Sequence, residues 1–419
     1  GFIRLFPHAS PEKLIVRKDA RGEPREESMG LFHVQIGEVC PDFDSASEKA
    51  EEFGRNGIEA YPVFKEEWRV CTGFYTGADA ARKAAAGDIR DKLGSGRYDV
   101  IEPDPKRIVI ESEEGKVLFM LGEAGRYVQI RPGPENGLEL LSVDGKRYRG
   151  HVEIRRLDFS DMTVINILPL EHYLYGVVPC EIETGSHPEA VKAQAVAART
   201  YALNNMNRYR SYGFDLCSTA YSQVYRGFDA ETPSGNSAVD STAGQKLVYR
   251  GKLAQAFYFS SSGGRTEDSE NVWGYEYPYL RSVEDGFESG LSHNYSWQSV
   301  CSASEIEKSM LERSCDLGSI INVEVTERSD AGRAIELVVQ GIRGEKVFTK
   351  GECRSALNSL NSQWYYIYTD ADVCISGDGK AEEKTRLSGK RVITGSGLRT
   401  LGASAGPMII MGGKNRTRR

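Results

Sequence analysis

Six alanines (Ala190, Ala193, Ala195, Ala197, Ala198 and Ala202) crowd into one stretch between Pro188 and Leu203. Alanine is the best helix former and has almost no side chain to hold a neighbour at a distance. The stretch therefore reads as a helix that packs closely against others. Val191, Ala195, Ala198 and Ala202 recur at helical spacing and mark a buried face. Ser186 and Glu189 stand in capping-box spacing with Pro188 in the first turn, so the helix is expected to begin near Ser186. Gln194, Arg199 and Thr200 interrupt the apolar pattern. Burying them costs free energy unless each finds a partner. They either face solvent or brace a site at the helix start.

The rest of the chain alternates between mixed and strand-rich segments, which makes the fold class α+β. Residues 1–28 read as a strand and linker. Within residues 29–103, Leu31–Gly37 alternates like a strand, and a helix begins at Ser45–Ala50, with Ser45 and Glu48 in capping-box spacing. Ala60–Phe64 and Trp68–Phe74 are two further strands, a second Ala-rich helix spans about Gly77–Leu93, and Tyr98–Ile101 closes the unit. The order β-α-β-β-α-β is that of a ferredoxin-like split unit. The runs FHVQIGEV, EFGRNGIEAYPV and WRVCTGFYTGADAARKAAA resemble a SPOR domain, a module that binds peptidoglycan glycan strands stripped of their peptides. The resemblance implies glycan contacts at Gln35, Arg69 and Phe74. Residues 104–366 are expected to form a second, mixed α/β domain with strand-rich flanks and its core at 150–366. Residues 367–419 read as a Gly/Ser-rich β extension with strands at Arg391–Ile393 and Met408–Met411 and a basic tail at Lys414–Arg419.

Upstream of the alanine stretch, Val164–Leu168 reads as a strand and Leu170–Val178 as a short helix. A loop then carries Glu181, Glu183, Gly185 and His187. The runs Leu168–Ile182 (LPLEHYLYGVVPCEI) and Glu189–Ala202 (EAVKAQAVAARTYA) resemble the SpoIID/LytB family over a long and specific motif. Further blocks of the same kind are Ser222–Gly227, Ala256–Thr266, Trp273 and Tyr277–Leu280. In sporulation members the resemblance implies lytic transglycosylation of peptide-free MurNAc–GlcNAc strands, with the catalytic carboxyl at Glu181. One carboxyl suffices for that reaction because the sugar's own C6 hydroxyl is the nucleophile, whereas a hydrolase needs two. Its pKa should lie above that of free glutamate, with Val177, Val178 and Ile182 supplying an apolar wall. Glu183 is the rival acid. Lys192, Gln194, Arg199, Gln223, Tyr225, Ser261 and Thr266 are expected to line the sugar groove. Gln194 and Arg199 equally suit a purely structural role. The amidase-enhancer branch of the family implies a second reading: a glycan-binding partner of a cell-wall amidase that does no chemistry itself. The family's later GWGHGVGMSQ block has no counterpart before Arg419, so either the sequence is cut short or part of the family core is missing.

Net charge is -7, which argues against a nucleic-acid partner. No apolar run reaches bilayer length, and Gly1–Phe6 lacks the pattern of a signal peptide. The family resemblance nevertheless implies an extracytoplasmic location, reached through a segment not present here. Eight cysteines include no CxxC pair. One or two disulfides are expected at most, the best candidates being Cys40 with Cys71 and Cys301 with Cys315. Some relatives bind zinc through a stretch like CxTxHCQVY. Here Cys217 is kept, but Tyr221 and Ser222 replace the His and Cys, so neither a metal nor another cofactor is expected.

Overall fold

The computed structural model describes residues 30–368 except 105, 113–114, 123–125, 133–139, 157–161, 293–294 and 358–359, together with strand segments at 3–7, 14–18, 24–28, 391–396 and 408–409. The expected tail at Lys414–Arg419, the end of the Met408–Met411 strand, Cys374 and most of the expected 367–419 extension lie outside the described residues. Helix and strand are both well represented, so the class is α+β. The chain divides into two compact units. One holds residues 1–141 and 150–167; the other holds residues 142–149 and 168–419.

In the first unit, strands Phe32–Cys40, Ala60–Lys65, Glu67–Tyr75 and Tyr98–Ile101 pair in one sheet. Phe32–Cys40 sits between Glu67–Tyr75 and Tyr98–Ile101, and Ala60–Lys65 lies on the far side of Glu67–Tyr75. Alternation along Phe32–Cys40 sends Val34 and Ile36 to one face, where they pack against Ala81, Ala85 and Ile89 of the second helical segment. That segment is broken at Gly87 (φ −107°, ψ −105°) rather than running straight from Gly77 to Leu93. The first helix, Phe43–Arg55, is capped by Asp42, whose carboxylate accepts from the Ser45 N–H at 2.8 Å. Asp42 thus takes the place expected of Ser45.

The expected boundary near residue 103 is not where this sheet ends. Ile108–Ser112 and Val117–Leu121 continue it, the latter pairing in parallel with Ala60–Lys65. Val109, Val117 and Met120 pack with Tyr61, Val63 and Cys71. Continuous apolar strands need cover on both faces, which is why they join the nearest sheet rather than a later domain. The seven described cysteines are free, including both expected pairs.

Gly30 leads into this sheet with no room for a side chain: a Cβ there would fall on the backbone of Tyr75 and Thr76. Backbone cannot yield as a flexible side chain does. Gly30→Ala is expected to cost about 2–3 kcal/mol, read as an earlier urea midpoint in the fluorescence of Trp68.

The second unit contains a helical group and a separate β-rich group. Helices Leu170–Glu181, Pro188–Asn204 and Pro233–Ser241 share a core of Leu174, Val177, Val178, Val191, Ala195, Ala198, Ala238 and Val239. The alanine helix begins at Pro188, two residues past the expected Ser186, and its cap is His187, whose ring accepts from the Glu189 N–H at 3.3 Å. Ser186 is not the cap. Farther along, strands Ile320–Arg328, Ala334–Gly341 and Gly344–Thr349 form an antiparallel meander. Together with helix Ala303–Glu312 they enclose a core of their own that includes Met310, Val323, Leu337, Phe348 and Tyr365. Within residues 168–367 the helical and β-rich groups thus have separate hydrophobic cores.

Candidate active site

Glu181 is the last residue of helix Leu170–Glu181, not part of a loop as its sequence suggested. The helix runs past Val178 even though Pro179 lies inside it. A proline in the final turn forfeits one backbone hydrogen bond but does not have to be followed by more helix. Ile182 then turns extended (φ −137°, ψ 144°) and is buried, which ends the helix at the carboxyl group.

Glu181 is half-buried, and its neighbours Val177, Val178 and Ile182 belong to the apolar core of these helices. Its Oε1 accepts from the Val224 backbone N–H at 3.4 Å, and the Tyr258 hydroxyl also donates to it. Burial pushes the Glu181 pKa up; the two hydrogen bonds pull it partly back; the result is about 7. Removal of water disfavours the charged form more than two donors favour it. At neutral pH the group is poised to give a proton and to take one back.

A directed set of hydrogen bonds lies behind it. The Tyr173 hydroxyl donates to Gln223 Oε1 at 3.3 Å. Gln223 Nε2 donates to the Ala198 carbonyl at 3.2 Å and to the Tyr258 oxygen at 3.1 Å. A backbone carbonyl can only accept, so the Ala198 contact fixes which way the Gln223 amide faces. Tyr258 then has its oxygen occupied by a donor and its own proton left for Glu181. Burial and the nearby Glu181 carboxyl hold the Tyr258 and Tyr173 hydroxyls well above the usual phenol range, so both stay protonated.

Two of the expected groove residues join this cluster. Gln223 is fully buried within it. The Tyr225 ring lies 5.2 Å from that of Tyr173 and rests on the helix at Gly176. A Cβ at Gly176 would stand 2.6 Å from Tyr225 Cε2 and 3.0 Å from the Gly227 carbonyl. Gly176→Ala must therefore displace Tyr225; a loss of about 1–3 kcal/mol is expected by thermal melting.

Gln194 is fully buried, and neither of its amide atoms has a described hydrogen-bond partner. It shares a helix face with Ala198 and Tyr201, four and seven residues on. The Tyr201 ring approaches that of Tyr258 edge-on at 6.4 Å.

The other expected contacts are engaged elsewhere. The Arg199 side chain is 1% exposed and bound to Glu171, with bonds to the Val239 and Gln245 carbonyls. A sugar cannot reach a guanidinium so enclosed, and Arg199 is a structural tie. Lys192 pairs with Glu189 on the surface at 2.8 Å. Ser261 is fully buried and donates to Glu288, while Thr266 bonds with the backbone of Arg281 and Val283. Arg333, also fully buried, ties the same segment down through the Ser262, Arg265 and Thr266 carbonyls. Glu183 is exposed.

Sequence reasoning passed over Tyr173 and Tyr258, although both lie inside the motif blocks. In the first unit, Gln35 is 5% exposed and accepts from Arg69 at 3.3 Å, and Phe74 packs on His33 and Tyr61. Gln35 is thus an internal tie, not an open contact.

Cys217 has the hydroxyls of Thr219, Ser222 and Tyr209 around its sulfur. Burial pushes the thiol up, and the hydrogen bonds from Ser222, Thr219 and Tyr209 more than offset it, taking the pKa to about 7. Among the described residues no group of three or more His, Cys, Asp or Glu side chains is placed to hold a metal ion.

These features define a class of site: one half-buried, readily protonated carboxyl at a helix end, backed by tyrosines and a locked glutamine. Residues 158–249 match the family model SpoIID, described as Stage II sporulation protein. Residues 278–390 match a domain of unknown function, which takes in the β-rich group. An uncharacterized protein of Brachyspira hyodysenteriae is 37% identical over 145 residues, covering 34% of this chain and 39% of that protein. The amidase enhancer of Bacillus subtilis is 35% identical over 162 residues, 38% of this chain and 22% of its own length. Stage II sporulation protein D of Bacillus amyloliquefaciens is 33% identical over 187 residues, 40% of this chain and 54% of its own. The chain thus spans less than two thirds of each of these relatives.

Proposed function

We propose that this chain is a lytic transglycosylase of peptidoglycan glycan strands, acting outside the cytoplasm with Glu181 as its acid and base. One observation carries the reading: a half-buried carboxyl, raised to about 7, with donors fixed behind it. The protonated Glu181 gives its proton to the bridging oxygen as the C1–O bond breaks. The C6 hydroxyl of the same sugar attacks C1. Glu181, now a carboxylate, takes the C6 hydroxyl proton, leaving a 1,6-anhydro end and a restored acid. The Val224 N–H and Tyr258 hydroxyl steady the carboxylate between the two transfers.

Residues 29–103 supply a SPOR-like second contact with denuded strands. The strand order around Phe32–Cys40 and the two helices on one face support that reading. Two weak contacts on one chain raise the local concentration of strand at the site. The contact surface there excludes Gln35, because it is buried.

A second reading is favoured by the amidase enhancer of Bacillus subtilis among the relatives. In it the same site holds glycan and presents it to a cell-wall amidase without cutting. Incubating the chain with peptide-free strands and analysing the products by mass spectrometry separates the two. New 1,6-anhydro ends support cleavage; strands bound but intact support the enhancer reading.

A further inference from the structure

Residues 142–149 belong to the helical unit although their flanks on both sides belong to the other. Strand Lys146–Arg149 is strapped down at alternate positions. Arg147 binds Asp229 through its side chain at 2.6 Å and its backbone N–H at 2.9 Å. Arg149 makes a two-pronged bond to Glu231, at 2.6 and 2.9 Å. Both guanidinium groups also lie over the Phe228 ring, at 4.9 and 5.1 Å from its centre. Side chains alternate along a strand, so clamping residues 147 and 149 fixes Tyr148 between them on the opposite side.

Tyr148 rests against Gly227, where a Cβ would come within 2.9 Å of its ring. Gly227 also has φ +72°, a conformation natural to glycine. From there the Tyr148 ring lies 6.3 Å from Tyr225, and Tyr225 lies 5.2 Å from Tyr173, which bonds Gln223 behind Glu181. Two glycines, Gly227 and Gly176, thus seat two successive rings in a row leading away from the carboxyl group. The two arginines that flank Tyr148 are already paired, and the row itself is aromatic. Such a surface suits the apolar faces of pyranose rings, and each ring-to-ring step is about the length of one sugar.

We infer that Tyr148 is a positioning residue for the saccharide, the outer member of an aromatic row Tyr148–Tyr225–Tyr173 along which successive sugars lie before cleavage at Glu181. Tyr148 lies outside residues 158–249, which match the family model. The inference rests on the glycan reading above.

The test compares Tyr148→Leu, which keeps bulk against Gly227 but loses the aromatic face, with Tyr148→Phe, which keeps the face. In Tyr148→Leu, KM for peptide-free strands is expected to rise by about 5- to 10-fold with kcat unchanged, and Tyr148→Phe is expected to restore it. The pH midpoint set by Glu181 stays where it is. Binding is measured in parallel in a Glu181→Gln background, where the strands survive, and shows the same fold-loss. Strand binding by Tyr148→Leu equal to the unaltered chain, a fall in kcat with KM unmoved, or Tyr148→Phe as weak as Tyr148→Leu each overturns the inference while leaving the glycan reading standing. Neither binding nor cutting by the unaltered chain overturns both.

Discussion

Glu181→Gln is expected to abolish strand cleavage, lowering kcat by about 10²- to 10⁴-fold while leaving strand affinity nearly unchanged. Glutamine fills the same space and still accepts from the Val224 N–H, but it has no proton to give. In the unaltered chain, cleavage should fall as pH rises through about 7, because the first step needs the protonated acid. The same replacement should change stability in the opposite sense. The native pKa of about 7 lies above the ordinary 4.5, so the folded chain holds a proton that the unfolded chain has lost. The stability tied to that proton is fully present below about 4.5 and is lost as pH climbs through 7. At pH 8 the inactive variant should therefore melt higher than the unaltered chain, by roughly 1–3 kcal/mol after allowance for partial exposure. At pH 4 the two should coincide. Cleavage that survives in Glu181→Gln, or equal melting at pH 8, overturns the assignment of the acid.

Arg199→Ala is expected to cost about 3–5 kcal/mol, read from urea unfolding followed by circular dichroism. Its guanidinium joins three separate segments: Glu171 at the start of the carboxylate helix, Val239 at the end of helix Pro233–Ser241, and Gln245 in the turn beyond. Removal leaves the Glu171 carboxylate without its cation and a space that close-packed helices cannot fill. Lysine is a poor substitute, because a point charge cannot reach acceptors spread over a planar fork. Were Arg199 a sugar contact instead, Arg199→Ala would weaken strand binding and leave the urea midpoint alone.

Much of the frame was legible in the linear chain. Alanine spacing and Pro188 marked the long helix, and alternating apolar residues marked the strands of the first unit, because both signals report local geometry that neighbouring residues impose on one another. Caps were less secure. Ser186 and Ser45 had the right chemistry, but His187 and Asp42 reached the free N–H groups first. Roles at a distance were harder still. Arg199, Ser261 and Thr266 have side chains that suit a sugar, yet each satisfies a buried backbone or an acid brought to it by folding. Ile108–Ser112 and Val117–Leu121 read as the start of a new domain and instead extend the old sheet.

The family resemblance alone pointed to Glu181, because the runs that carry it are written in the chain. What raises the pKa of that carboxyl was decided only in three dimensions. Tyr258 stands 77 positions further along, and its hydroxyl and the Val224 N–H reach one half-buried carboxyl only once the helices pack. A pKa depends on what surrounds a group in space, and that is information no single stretch of sequence contains.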